Sequence, residues 1–145
     1  MDSAIILLVE DNEDDAILLQ YTLQNAGLNN PVHLVNSAER AMEYLTGSGD
    51  YTDRTLYPMP SVVFLDLTLP GRPGHDLLAW MSSNEGLQHI PRVVLTGSDD
   101  PEDLKRAYEF GANCYLRKPL TLEQLTGPSR NLRRLLTNQP ESAFR

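Results

Sequence analysis

The sequence predicts an α/β fold: a doubly wound parallel sheet of five strands accompanied by five helices. Three features carry that expectation. Short apolar runs rich in branched side chains recur along the chain, as strands covered on both faces require. Between them lie stretches with helical periodicity, several opened by Ser, Asp or Thr and closed by Gly. The two kinds of segment alternate throughout, which is the pattern that feeds a parallel sheet with helices on both sides.

In chain order, Ala4-Ile5-Ile6-Leu7-Leu8-Val9 is the first strand, and it stops at Glu10 to Asp15, where five of six positions are acidic. From Ala16 the pattern is helical, with Ile17, Leu18, Tyr21 and Leu23 or Leu28 near one side and Gly27 as the stop. Val32 to Val35 reads as the second strand, and Ser37 caps a helix carrying Ala38, Ala41, Met42 and Leu45 that ends at Gly47. A loop rich in Gly, Asp, Tyr and Pro runs from Gly47 to Pro60. Ser61 to Asp66 is the third strand, again ending in a carboxylate, and after Leu69-Pro70-Gly71-Arg72-Pro73-Gly74 a helix carries Leu77, Leu78, Trp80 and Met81. Arg92 to Thr96 is the fourth strand. Asp100 caps the next helix with Pro101 in its first position, Gly111 ends it, and Asn113 to Arg117 is a short fifth strand. Thr121-Leu122-Glu123-Gln124 has capping-box spacing, so a last helix should run to about Thr137 with a kink or break at Gly127-Pro128.

The 145 residues suit one domain, expected over 1–137 with a short tail at 138–145 and no attached output domain. A formal charge of -8 and a pI near 4.7 argue against nucleic acid, whose phosphates demand clustered Lys and Arg. The single cysteine, Cys114, forms no internal disulfide and points to a reducing compartment. The N-terminal apolar run is too short for a membrane span or a signal peptide. A cytoplasmic protein without membrane contact is expected.

In doubly wound sheets the functional crevice lies beyond the carboxyl ends of the strands, where the strand order reverses. Glu10, Asp11 and Asp66 follow the first and third strands, which are neighbours in a flavodoxin-like order of 2-1-3-4-5, so the three acids should converge. Carboxylates about 5 Å apart repel by a few kcal/mol per pair at the usual effective dielectric, and such a cluster needs a cation. Mg²⁺ accepts an all-oxygen site of this kind. Lys118, after the fifth strand, is the second cation, and Thr96, ending the fourth, adds a hydroxyl. A metal and a lysine beside one carboxylate suit phosphoryl transfer onto that carboxylate.

The segments Val9-Glu10-Asp11-Asn12, Leu65-Asp66-Leu67-Thr68-Leu69-Pro70, Val94-Leu95-Thr96 and Lys118-Pro119 resemble, in order and spacing, the signatures of response-regulator receiver domains. The resemblance covers nearly the whole chain. It implies that Asp66 is the phosphoacceptor, and that Mg²⁺, for which Mn²⁺ can substitute, is held by Asp11, Asp66 and the Thr68 backbone carbonyl, with Glu10 acting mainly through metal-bound water. It further implies that Lys118 pairs with Asp66 and then with the phosphoryl group, that Thr96 swings toward that group, and that Tyr115 follows inward. Lys118-Pro119 is the cis peptide the family favours. Such a domain catalyses its own phosphorylation and slow dephosphorylation and is not otherwise an enzyme.

Glu10 stands where Asp is commoner in the family, and Gly97 where Ala or Ser is commoner, which should leave the phosphoryl site open. Thr68 and Ser98 occupy positions at which the family tunes dephosphorylation. The Gly47 to Pro60 loop and Asn113-Cys114-Tyr115-Leu116 resemble a narrower group, the single-domain regulators that partner phytochrome-type histidine kinases. The resemblance thus implies a cognate sensor histidine kinase as partner, of the phytochrome type in the narrower reading. It also implies a homodimer through the face of the fourth helix, fifth strand and fifth helix, where Leu104, Lys105, Tyr108, Arg117, Glu123 and Arg133 lie.

Competing readings are set against these. Glu13, Asp14 and Asp15 suit a solvated helix start favoured by the macrodipole. Tyr115 on a short strand is core in the plainer reading, Cys114 a small buried hydrophobe, and His33, His75 and His89 surface or loop residues without metal spacing. A flavodoxin-like electron carrier needs a glycine-rich and hydroxyl-rich phosphate loop where this chain has Glu10, Asp11 and Glu13. A haloacid-dehalogenase-type phosphatase needs a second acid where Thr68 stands. A pseudo-receiver that only binds partners would lack one of the site residues, and all are present.

Overall fold

The computed structural model describes residues 5–69, 71–121, 123 and 124. Its strands are β1 (Ile6–Val9), β2 (Val32–Val35), β3 (Val62–Asp66), β4 (Arg92–Thr96) and β5 (Cys114–Arg117). All pair in parallel, as the alternation of segments predicts, and in the expected flavodoxin-like order β2-β1-β3-β4-β5. The helices are α1 (Glu13–Asn25), α2 (Ala38–Thr46), α3 (Gly74–Ser82) and α4 (Pro101–Glu109), with a short 3₁₀ turn at Gly49–Tyr51. Glu123 and Gln124 are helical, so the last helix begins where the sequence places it. Its course to Thr137, the Gly127-Pro128 break, Arg133 and the tail at 138–145 lie outside the described residues.

Two apolar layers hold the sheet. On one face Leu7, Val9, Val63, Leu65 and Val94 meet α2 and α3 through Ala41, Leu45, Leu77 and Met81, with Ala107 of α4 beside them. On the other, Ile6, Leu8, Phe64, Val93 and Leu95 meet α1 through Ala16, Leu19 and Leu23. Strands buried on both faces carry no polar alternation, which is why β1, β3 and β4 read as unbroken apolar runs.

Helix ends follow local chemistry. Ser37 caps α2 by accepting from the Arg40 N–H, and Gly47, left-handed at φ 68, closes it. Asp100 caps α4 with Pro101 behind it. Thr121 Oγ1 accepts from the Gln124 N–H at 3.3 Å, one half of the expected capping box. The other half is replaced: the Gln124 side chain turns to the Arg117 and Pro119 carbonyls and accepts from the Arg117 N–H.

The first helix departs from the sequence reading at both its start and its face. It begins at Glu13, three residues before Ala16, because Asn12 caps it by accepting from the Asp15 N–H at 3.1 Å. Its buried stripe is Ala16, Leu19, Thr22 and Leu23, whereas Ile17 is 64% and Tyr21 60% exposed. The run from Ala16 to Leu19 offers more than one apolar stripe, and packing on the sheet selects the one the cap directs inward. His33 and His75 are likewise not simple surface groups. His33 packs against the Tyr44 and Tyr57 rings, and His75, within α3, stacks edge-on to Phe110 with a buried Nε2.

The Gly47 to Pro60 loop has an order of its own. Arg54 donates to the Tyr44, Leu45 and Tyr57 carbonyls, satisfying orphan acceptors at the end of α2, and Tyr44, Tyr51 and Tyr57 pack ring against ring.

Candidate functional site

Strand register assembles the site. Val9 lies opposite Leu65, so Glu10, one residue on, sits beside Asp66 at the end of β3. Asp66 lies opposite Leu95 and Thr96 opposite Arg117, which brings the Thr96 hydroxyl and Lys118 to the same rim. The ladders continue through Glu10 N–H to Val35 O at 2.9 Å and Lys118 N–H to Thr96 O at 2.8 Å, and the Lys118–Pro119 bond is cis. The rim is the crevice of the strand-order switch, since β1 sends its connections to β2 on one side and neighbours β3 on the other.

The three predicted acids converge. Ligand oxygens of Glu10, Asp11 and Asp66 lie within 4.8 Å of one another, with Glu10 and Asp66 buried and Asp11 exposed. Lys118 joins them, its Nζ 2.6 Å from Glu10 Oε1 and 2.9 Å from Asp66 Oδ2. Burial drives the Glu10 carboxyl up to about 7, against the pull of the Lys118 bond, and Asp66 adds to the rise. Burial alone would lower the Lys118 ammonium, but bonds to Asp15, Glu10 and Asp66 carry it above its ordinary value. One lysine therefore stays charged while the carboxylate beside it resists ionisation. Such a charge balance, with an exposed third acid facing outward, fits a divalent cation of the hard, oxygen-seeking kind.

Two turns frame Asp66. The Thr68 N–H donates to Asp66 Oδ1 at 2.9 Å and fixes the carboxylate. Behind it α3 begins so close that a Cβ on Gly74 would stand 2.8 Å from the Asp66 carbonyl oxygen, so only glycine fits there. Gly97, in contrast, has nothing within 4 Å of a Cβ position, and the site is open on that side as its size suggests. Thr96 is 1% exposed, and its Oγ1 accepts from the Ser98 N–H at 3.2 Å. Tyr115 is half-buried beside it. Its hydroxyl is buried without a hydrogen bond of full geometry among the described residues; burial raises its pKa, and the nearby Thr96 opposes part of the rise.

The structure adds a residue to those the sequence singles out. Asp15, read there as a solvated helix acid, lies 2.7 Å from Lys118 Nζ. Only the early start of α1 turns it back toward β5, and no local pattern announces a contact spanning 103 positions. On the expected dimer face, Leu104, Lys105, Tyr108, Arg117 and Glu123 are exposed, and Arg117 pairs with Asp99.

A parallel sheet of this order, with three acids, a threonine and a lysine gathered at the switch point, has the form of a receiver among doubly wound domains. Comparison with known proteins agrees. The response regulator receiver domain family matches residues 6–128. Response regulator Rcp1 of Synechocystis is 36% identical over 83% of this chain and 80% of its own, and the probable methanogenesis regulatory protein FilR2 of Methanothrix harundinacea is 40% identical over 86% and 77%. The phosphorylated cyanobacterial phytochrome response regulator RcpA superposes with a TM-score of 0.76 at 34% identity, covering 92% of this chain and 93% of its own. The Mn²⁺-bound form of Rcp1 gives 0.76 at 32%, covering 94% and 96%. The chain belongs to the response regulator receiver domain family. It is a two-component signalling protein related to the phytochrome response regulators.

Proposed function

We propose that this chain accepts a phosphoryl group on Asp66 from the phosphohistidine of a sensor histidine kinase, in a Mg²⁺-dependent reaction. The observation that carries this is the 2.9 Å pairing of Lys118 Nζ with an Asp66 carboxylate already held by the Thr68 N–H. An Asp66 oxygen forms the new bond to phosphorus as the bond to the histidine nitrogen breaks. The electron pair leaves with the imidazole, which takes up a proton. Lys118 meets the charge on the phosphoryl oxygens, and the Thr96 hydroxyl donates to them after transfer. Asp11, Asp66 and the Thr68 carbonyl would hold the metal, with Mn²⁺ able to substitute and Glu10 acting through its water. When bound, the metal supplies positive charge to the same phosphoryl oxygens.

Residues 1–137 form the working receiver unit in this reading, followed by the tail at 138–145. The protein acts in the cytoplasm and catalyses only its own phosphorylation and slow dephosphorylation. Thr96 and Tyr115 transmit the change to the face of α4, β5 and the last helix, which a second copy of the chain covers; the exposed Leu104 and Tyr108 support that assembly. No described helix is long and apolar enough to cross a membrane. The phytochrome-type kinase is supported by the likeness to Rcp1 and RcpA, whereas the similar FilR2 is described as a probable methanogenesis regulatory protein.

Intact-mass analysis after incubation with a small phosphodonor and Mg²⁺ tests the core of this reading. The wild type should gain one phosphoryl group, and Asp66→Asn none. Equal labelling of the two would place the phosphoacceptor elsewhere. Transfer from a purified phytochrome-type kinase at a rate no better than from an unrelated kinase would remove the narrower assignment and leave the first intact.

A further inference from the structure

The Lys118 ammonium has three hydrogens and three carboxylate partners: Glu10 at 2.6 Å, Asp15 at 2.7 Å and Asp66 at 2.9 Å. Two of the three belong to the acid cluster that suits a metal; Asp15 does not. When a cation and a phosphoryl group engage Glu10 and Asp66, Asp15 is the acceptor still available to the lysine. Its direction is fixed from behind, because the Asn12 side chain accepts from the Asp15 N–H and locks the first turn of α1. The lysine lies among apolar neighbours, lining a small cavity together with Leu18, Leu19, Leu95 and Leu120, and Glu10 and Asp15 border the same cavity. The lysine side chain is 19% exposed, so its ammonium meets these carboxylates largely out of water.

We propose that Asp15 is a positioning residue for the phosphoryl transfer: it anchors one N–H of Lys118 so that the ammonium stays aimed at the Asp66 carboxylate while the cluster acids are otherwise engaged. The inference rests on Asp66 being the phosphoacceptor. Asp15 does not touch the reacting atoms; it acts through the lysine. Glu13 and Asp14 share its turn and its charge but pair with no cation among the described residues, so they separate a directed contact from the general effect of acids at a helix start.

The test is the maximal rate of labelling by phosphoramidate at saturating donor and Mg²⁺, followed by mass spectrometry for wild type, Asp15→Asn, Asp15→Glu and Asp14→Asn. Loss of one charge-assisted hydrogen bond on the lysine should slow Asp15→Asn about five- to tenfold, whereas Asp14→Asn should change less than about twofold. Asp15→Glu, whose carboxylate still reaches the lysine, should recover at least about half the wild-type rate. Thermal melts of all four should coincide within a few degrees, since Asp15 is 39% exposed. Equal slowing of Asp15→Asn and Asp14→Asn, a wild-type rate for Asp15→Asn, or an Asp15→Glu as slow as Asp15→Asn would each overturn the proposal. A wild type that takes no label removes the phosphoacceptor reading itself, and this inference with it.

Discussion

The two ends of the sheet each hold a cation against buried groups, and they treat it in opposite ways. At the amino end Arg92, 4% exposed, is met by neutral acceptors alone. Its Nε donates to the Ile90 carbonyl, Nη1 to Ser82 Oγ and Gly111 O, and Nη2 to Leu87 O and Gln88 O, so all five N–H groups are used. At the carboxyl end Lys118 faces Glu10, Asp15 and Asp66, and Glu10 is held at about 7 by its surroundings. The first cation is saturated and ties a strand to two loops. The second is shared among charges that can be redistributed, as a site that must exchange partners requires.

The largest effect that would break this contrast lies at the amino end. Arg92→Met keeps most of the stem but strips five acceptors of their donors, and should cost roughly 3–5 kcal/mol in denaturant unfolding. Labelling of Asp66 per folded molecule should not change. A loss of labelling with unaltered stability would reverse the roles assigned to the two ends.

A smaller effect, of opposite sign, belongs to Glu10. Its folded-state pKa lies above the model-peptide value of 4.5, so between pH 4.5 and about 7 this site holds more proton in the native protein than in the unfolded chain. The Glu10 contribution to the stability of the metal-free protein should therefore fall as pH rises through that window, by about 3 kcal/mol, read as the difference between wild type and Glu10→Gln. Adding Mg²⁺ at pH 8 should restore it, and Glu10→Gln should flatten the profile. A wild type that gains stability relative to Glu10→Gln from pH 5 to 7.5 would contradict the raised Glu10 pKa.

The smallest effects compare two glycines of the carboxyl end. Gly74→Ala sets a Cβ against the Asp66 carbonyl and the Leu67 backbone and should cost about 1–3 kcal/mol while slowing labelling. Gly97→Ala meets open space and should stay within about 0.5 kcal/mol of wild type. Indistinguishable melting temperatures for the two would mean that α3 yields easily behind Asp66.

The same contrast explains how much could be read from residues alone. The carboxyl end was legible because strand ends, acids, a threonine and a lysine are visible as types, and parallel alternation states where strand ends gather. Ser37 with Gly47, and Asp100 with Pro101, were legible because caps are local chemistry. Arg92 was not, since four of its five acceptors are backbone carbonyls and every sequence has those. Asp15 and the face of α1 were missed for a related reason: a one-residue cap at Asn12 rotates the whole first turn, and a side-chain periodicity compatible with two stripes does not reveal which rotation packing selects.

The pairing of Thr96 with Arg117, which sets Lys118 at the rim, also has a meaning in time. A ribosome delivers Glu10, Asp11 and Asp66 well before it delivers Lys118. Without the edge strand β5, the Glu10 and Asp66 carboxylates have no Lys118 beside them. The same edge strand that completes the sheet also carries the counter-charge of its crevice, so a chain halted short of β5 lacks both.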